Sequence, residues 1–118
     1  MGFKRKMLEL SETLVLTNVH TFGLLVRESI SNLRKLTWDK DCIERIDQAS
    51  RALSLEENLE TCNKLLVKMS VNLTQLNENL QDSAKESNNL KVVTLAAECV
   101  NIENMITKML EIKGMMCD

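Results

Sequence analysis

The chain has 118 residues, a net charge of −2 and a hydrophobic content of 44%. This length suits one domain with its own core, and these proportions are typical of folded proteins. Proline is absent and there are only 3 glycines, whereas a β protein of this length needs many turns rich in both. Charges of both signs are interspersed without a continuous basic face, which argues against nucleic-acid binding.

The first predicted helix spans about residues 3–36 and carries two apolar stripes, each with alternating spacings of four and three. No charged residue lies between Thr13 and Val26. A helix that is apolar around so much of its circumference is central to a bundle or is buried against a partner. One stripe consists of Phe3, Met7, Leu10, Leu14, Thr17, Thr21 and Leu24, and the other consists of Val15, Val19, Phe22, Val26, Ser29, Leu33 and Leu36.

The start of the chain has basic residues before an apolar stretch, as a signal peptide does. Glu9 and Glu12 interrupt that pattern, and the uncharged stretch is shorter than the ~20 residues of a membrane span. We therefore expect no membrane span and a cytoplasmic protein with reduced thiols.

A short second helix is predicted over about 38–53, with Thr37 as its N-cap. Ser54 and Glu57 have the spacing of a capping box, which predicts a third helix over about 55–81. The positions beside its seam hold mostly asparagine, where a two-stranded coiled coil has opposite charges. This favours a helix with neighbours on both sides. The seam has unbroken heptad spacing and consists of Leu55, Leu59, Cys62, Leu66, Met69, Leu73, Leu76 and Leu80.

A polar run over residues 82–89 precedes the last predicted helix, at about 87–113, whose seam runs from Val92 to Met109. Short connections between helices favour antiparallel neighbours. We therefore predict an all-α fold, with a single domain over residues 1–118. Its architecture is an antiparallel up-and-down bundle of three long helices and one short helix with coiled-coil-like packing.

Groups for catalysis are scarce. The single histidine, His20, lies in the uncharged part of the first helix. It is a candidate for a ligand pocket or an active site, but a histidine in this position more often makes one structural hydrogen bond. The sequence has no glycine-rich phosphate loop and no cysteine pair at zinc-ligand spacing. We predict a protein that is not an enzyme, without cofactor or metal.

The cysteines Cys42, Cys62, Cys99 and Cys117 raise a second hypothesis, a secreted four-helix signalling protein with disulfides. Cys62 and Cys99 lie on facing seams, but the antiparallel register separates them by on the order of 10 Å along the helix axes, too far for a bond. Buried thiols are the preferred interpretation, with Cys42 and Cys117 expected to be the more exposed ones.

The apolar surface exceeds what a bundle of this size needs to bury. Each helix requires one inward stripe, yet the first helix has two, and Val67 and Val71 point away from the seam of the third. We therefore predict a protein–protein interaction module, a subunit or adaptor of a larger complex, that binds protein partners or a second copy of itself as a homo-oligomer. The candidate partner-binding residues are Phe3, Met7, Leu10, Leu14, Val67 and Val71.

Overall fold

The computed structural model describes residues 2–34, 40–82 and 86–115, with residues 86–89 described in their backbone only. Four helices are present in these ranges: α1 (Gly2–Leu33), α2 (Lys40–Leu53), α3 (Leu59–Asp82) and α4 (Glu86–Met115). The described residues contain no strand, and the predicted all-α helical bundle is confirmed. The predicted cap Thr37 lies outside the described residues, as does Leu36.

The helices surround one aliphatic core. Each contributes one stripe at heptad or near-heptad spacing, and fully burying a side chain such as leucine or valine contributes about 1.5–3 kcal/mol. The stripe of α1 runs from Val15 to Leu33, that of α3 from Leu59 to Leu80 and that of α4 from Val92 to Met109. These are the inward stripes that the periodicity predicts.

Neighbouring helices run antiparallel. Arg34, after the end of α1, bonds to Asp47 in the middle of α2, whereas Gly23, earlier in α1, lies against Ser54 at the end of α2. Cys42 near the start of α2 bonds to Asn72 in the second half of α3. Lys113 near the end of α4 lies 3.8 Å from Glu12 of α1. The packing order is therefore α1, α2, α3 and α4, with α4 returning to α1, in a rod of 56 × 20 × 19 Å.

A glycine sets the approach of α1 to α2. A Cβ atom at Gly23 would lie 2.9 Å from the Ser50 carbonyl oxygen and 3.0 Å from the Ser54 nitrogen. Both are backbone atoms, so only a residue without a side chain fits here at this helix separation. Further along the same pair, the buried carboxylate of Asp47 accepts hydrogen bonds from Arg34 at 2.9 Å and Arg51 at 3.0 Å.

The third helix begins later than the capping box predicts. The Ser54 amide donates to the Ser50 carbonyl at 3.1 Å and its hydroxyl donates to the Arg51 carbonyl at 2.8 Å, so Ser54 completes the last turn of α2 and its side chain does not cap α3. Asn58 is the N-cap instead, because its side-chain oxygen accepts a hydrogen bond from the Thr61 amide at 3.1 Å. Leu55 therefore lies in the connection and is 82% exposed, outside the seam.

Candidate interaction surfaces

The exposed side of α1 carries an apolar stripe, which we call the outer stripe and which consists of Phe3, Met7, Leu10, Leu14, Thr17, Thr21 and Leu24. The four largest residues of its first half, Phe3, Met7, Leu10 and Leu14, are 77%, 52%, 57% and 67% exposed. Leu24 at its other end is 56% exposed. Burial in the bundle therefore accounts for the inner stripe of α1 and leaves the outer stripe in water.

Two hydroxyl groups in or beside the outer stripe already have hydrogen-bond partners within α1. The hydroxyls of Thr13 and Thr17 each donate to the carbonyl four residues earlier, both at 2.9 Å. A hydroxyl that has a hydrogen-bond partner costs less to remove from water than one that has none. Together with the lack of charge from Thr13 to Val26, these bonds make the outer stripe inexpensive to cover.

A groove separates α1 from α4, and we call it the α1–α4 groove. These two helices form the least extensive of the four neighbouring pairs, whereas α3 and α4 form the most extensive. One end of the groove is a cleft of about 320 Å³ and the other is a cleft of about 440 Å³. The first cleft is lined mainly by Phe3, Met7, Leu8, Met109 and Ile112, and the second by Thr21, Phe22, Leu25, Leu95, Ile102 and Met105.

The residues Val67 and Val71 form a second and smaller patch. They are 45% and 63% exposed on α3. Because α1 and α3 are diagonal neighbours in the packing order, this patch lies on a different side of the rod from the outer stripe. The structure therefore brings the four candidate residues of α1 together and keeps the two candidate residues of α3 apart from them.

Sequence reasoning missed the α1–α4 groove. The signal is present, since Leu25, Met105 and Ile112 each lie next to a core position of the heptad repeat, on the side of their helix that faces the other. A heptad assignment of α1 and α4, like that of α3, identifies these flanking apolar residues. The heptad repeat does not show how closely α1 and α4 pack against each other.

His20 has a structural partner. Its Nε2 lies 2.6 Å from the Glu56 carbonyl oxygen, in the connection between α2 and α3. A carbonyl only accepts, so Nε2 carries the proton and donates it. The side chain is half-buried and joins α1 to that connection.

The thiols of Cys62 and Cys99 are completely buried and are not joined in a disulfide. Burial, assisted by the negative charge of Glu56, raises the pKa of Cys62 to about 11. Burial, with Glu103 and Glu98 nearby, raises the pKa of Cys99 to about 12. Both thiols are therefore protonated at neutral pH and act as small apolar side chains.

The expectation that Cys42 is exposed is wrong. Cys42 is 3% exposed, and its thiol donates to the Asn72 carbonyl at 3.0 Å. It is covered because the start of α2 packs against α3. Cys117 lies outside the described residues.

Neither a metal site nor a membrane-spanning helix is present in the described ranges. Among these residues, no three histidine, cysteine or acidic side chains are grouped so that they could hold a metal ion. None of the four helices, over the residues described, combines the length and hydropathy needed to cross a membrane.

These observations define the class of the protein, an all-α antiparallel four-helix bundle with an exposed apolar face on α1. Comparison with known proteins adds no more specific identity. No family model matches the chain, and neither the curated proteins nor the solved structures include a significant match.

Proposed function

We propose that this protein is a non-enzymatic interaction module, a subunit or adaptor of an intracellular complex, that binds another protein through apolar helix faces. The observation that carries the proposal is the exposed outer stripe, in particular Phe3, Met7, Leu10 and Leu14. Four large apolar side chains in line on one helix are the usual anchors of helix-in-groove and helix-to-bundle docking.

The exposed apolar area of the outer stripe determines how strongly a partner can bind to it. Covering the exposed parts of these four side chains contributes on the order of 5 kcal/mol. Association costs about 4–15 kcal/mol in lost translational and rotational freedom. The outer stripe alone therefore sustains only a weak complex. A partner helix that also reaches across the α1–α4 groove to Met105 and Ile112, which are 41% and 42% exposed, gains the additional contact area.

The patch at Val67 and Val71 supports a second, separate contact. Its position on the diagonal helix means that a single partner helix lying along α1 does not reach it. An adaptor needs two surfaces that can be occupied at the same time, and α1 and α3 provide them.

Site-specific photo-crosslinking in cells of the native host tests this function. A photoreactive amino acid replaces Leu14 in one variant, Val71 in another and Thr107 in a control. Thr107 is an exposed polar residue of α4 on the side away from the α1–α4 groove. We expect discrete protein adducts from the Leu14 and Val71 variants and none above background from the control. If Leu14 gives no more adduct than Thr107, the outer stripe is not a binding surface.

A further inference from the structure

We propose that the protein that covers the outer stripe is a second copy of this chain, packed antiparallel along α1 about a two-fold axis between Leu14 and Thr17. This inference rests on the proposed function and names its partner. It follows from how size and charge are distributed along the stripe.

The outer stripe is complementary to itself when reversed. Its 4-3 repeat continues to Glu28, one helical turn after Leu24. An antiparallel copy centred between Leu14 and Thr17 pairs Leu14 with Thr17, Leu10 with Thr21, Met7 with Leu24, and Phe3 with Glu28. The two-fold axis repeats each pair, so in the four central layers a leucine of one copy meets a threonine of the other. Pairing large with small side chains fills these central layers evenly, as a packed helix interface requires, and Met7 packs against Leu24 in the layer beyond them.

A parallel copy lacks this balance. It would pair the large residues of the first half with each other and leave Thr17 and Thr21 in thin layers. It would also bring the basic run Lys4, Arg5 and Lys6 of both copies together. Like charges that are brought close together repel each other, so the distribution of charge favours the antiparallel arrangement.

The basic side chains of Lys4, Arg5 and Lys6 have no acidic partner within the described residues, and an antiparallel copy brings one close to Lys6. α1 has no acidic residue in its first turn, and within the described residues these three side chains form no ion pair. Positive charge at a helix N-terminus is opposed by the helix dipole. In the antiparallel register, Lys6 comes within one helical turn of Glu28 of the second copy, and symmetry produces this contact twice. The other charge near that end, Arg27, lies about 110° around α1 from the centre of the stripe at 3.6 residues per turn, so it lies outside the interface.

The size of the interface gives the expected affinity. From Phe3 to Glu28 the stripe is about 38 Å long at 1.5 Å per residue. With a width of about 10 Å it covers roughly 400 Å², about half of the area per partner in a standard stable complex. We therefore expect a weak, reversible dimer with a dissociation constant on the order of 100 μM, in keeping with the small contribution of the outer stripe to binding.

Sedimentation velocity of the full chain from about 1 to 300 μM tests the dimer. We expect monomer at the low end and a growing dimer fraction above about 10 μM. Leu14→Glu places two charges at the centre of the interface and should weaken dimerisation by about a hundredfold, while Thr107→Glu on α4 should leave it unchanged. Circular dichroism confirms that both variants remain helical. A chain that is monomeric at 300 μM, or a dimer that survives Leu14→Glu, would overturn the proposal.

Charge exchange tests the antiparallel register. Lys6→Glu and Glu28→Lys should each weaken the dimer by about tenfold at low salt, because each replaces two attractive contacts with two repulsive ones. The double variant should recover most of the affinity. A double variant that does not recover would exclude this register.

The photo-crosslinking experiment separates this inference from the proposed function. Adducts of Leu14 with other proteins, together with a monomer at 300 μM, would reject the second copy and retain the binding surface. Absence of both adducts and dimer would reject both. Adducts of Leu14 with its own chain support both.

Discussion

The contact between α1 and α2 at Gly23 gives a direct stability prediction for Gly23→Ala. The added Cβ would lie 2.9 Å from the Ser50 oxygen, 3.0 Å from the Ser54 nitrogen and 3.2 Å from the Ser54 Cα. All three are backbone atoms at the end of α2, so no side chain can rotate away. The two helices must move apart by a few tenths of an ångström, which loosens the packing around them.

The magnitude is a difference of two terms. Overpacking of a tight contact costs about 1–3 kcal/mol, and replacing glycine with alanine inside a helix gains about 1 kcal/mol. Because the close atoms at Gly23 all belong to the backbone, we take the upper part of the overpacking range, about 2–3 kcal/mol, and expect a net loss of about 1–2 kcal/mol in the free energy of unfolding. For a domain of this size that loss lowers the Tm by roughly 3–8 °C.

Urea unfolding followed by circular dichroism at 222 nm measures this change. Gly2→Ala and Gly114→Ala are matched controls, because a Cβ at either position meets nothing within 4 Å. Both should leave the free energy of unfolding unchanged or slightly raised. If Gly23→Ala is as stable as these controls, α1 and α2 do not pack at the separation described here.

Four more predictions can be checked with the same unfolding assay. Asp47→Ala should cost about 1–3 kcal/mol, less than for a fully buried pair because the side chains of its two arginine partners stay about half exposed. Asn77→Leu should be neutral or stabilise by about 1 kcal/mol, since the buried Oδ1 has no hydrogen-bond partner in the described structure. The double variant Leu10→Glu and Leu14→Glu should keep its helicity and a cooperative melt. The wild type should lose stability as the pH rises from 9 towards 12, and Cys99→Ala should lose less.

The sign of the pH effect follows from proton binding. The pKa of Cys99 is raised from 9.0 to about 12 in the folded protein, so the thiol releases its proton more readily when the chain is unfolded. Its contribution to stability is complete below pH 9 and is lost as the pH rises through the folded pKa. An identical alkaline loss in wild type and Cys99→Ala would contradict the burial of this thiol.

Each of the other three predictions has an outcome that would contradict it. An unaltered stability of Asp47→Ala would mean that the ion pairs at the end of α1 are not formed in solution. A loss of several kcal/mol in Asn77→Leu would mean that its side chain has a partner. Unfolding of the double glutamate variant would place the outer stripe in the core and would remove the basis of the proposed function.

The inward faces of the helices were predictable because periodicity is a local property. In α3, every residue of the seam from Leu59 to Leu80 is buried, and in α4 the same holds from Val92 to Met109. The asparagines beside the α3 seam were also informative. Asn63 and Asn77 are both partly buried, as expected for a helix that is flanked on both sides.

The start of α3 was not predictable in the same way. Ser54 and Asn58 are both good caps, and local sequence does not choose between them. The choice depends on tertiary contact, because Ser54 is held at the end of α2, where its backbone lies against Gly23. Cys42 is a similar case. Its position near a helix end suggested exposure, but the packing of α2 on α3 buries it.

The periodicity of the sequence does not predict the α1–α4 groove. A repeat identifies which side of a helix faces inward, and it does not tell how closely two neighbouring helices approach. The groove forms because α1 packs more extensively on α2 than on α4. Leu25 and Met105 are consequently left at its rim, with 50% and 41% exposure.

A comparison of α1 with α2 supports the proposal that the outer stripe binds a partner. Both helices belong to one bundle and face the same solvent. Apart from Ala52, every exposed residue of α2 is polar, so the needs of the folded monomer account for its sequence. In α1, Phe3, Met7, Leu10 and Leu14 remain exposed in a stripe that has the period of a helix interface and no role in the core. The packing of the monomer does not account for these four exposed side chains, and the proposed docking against another helix does.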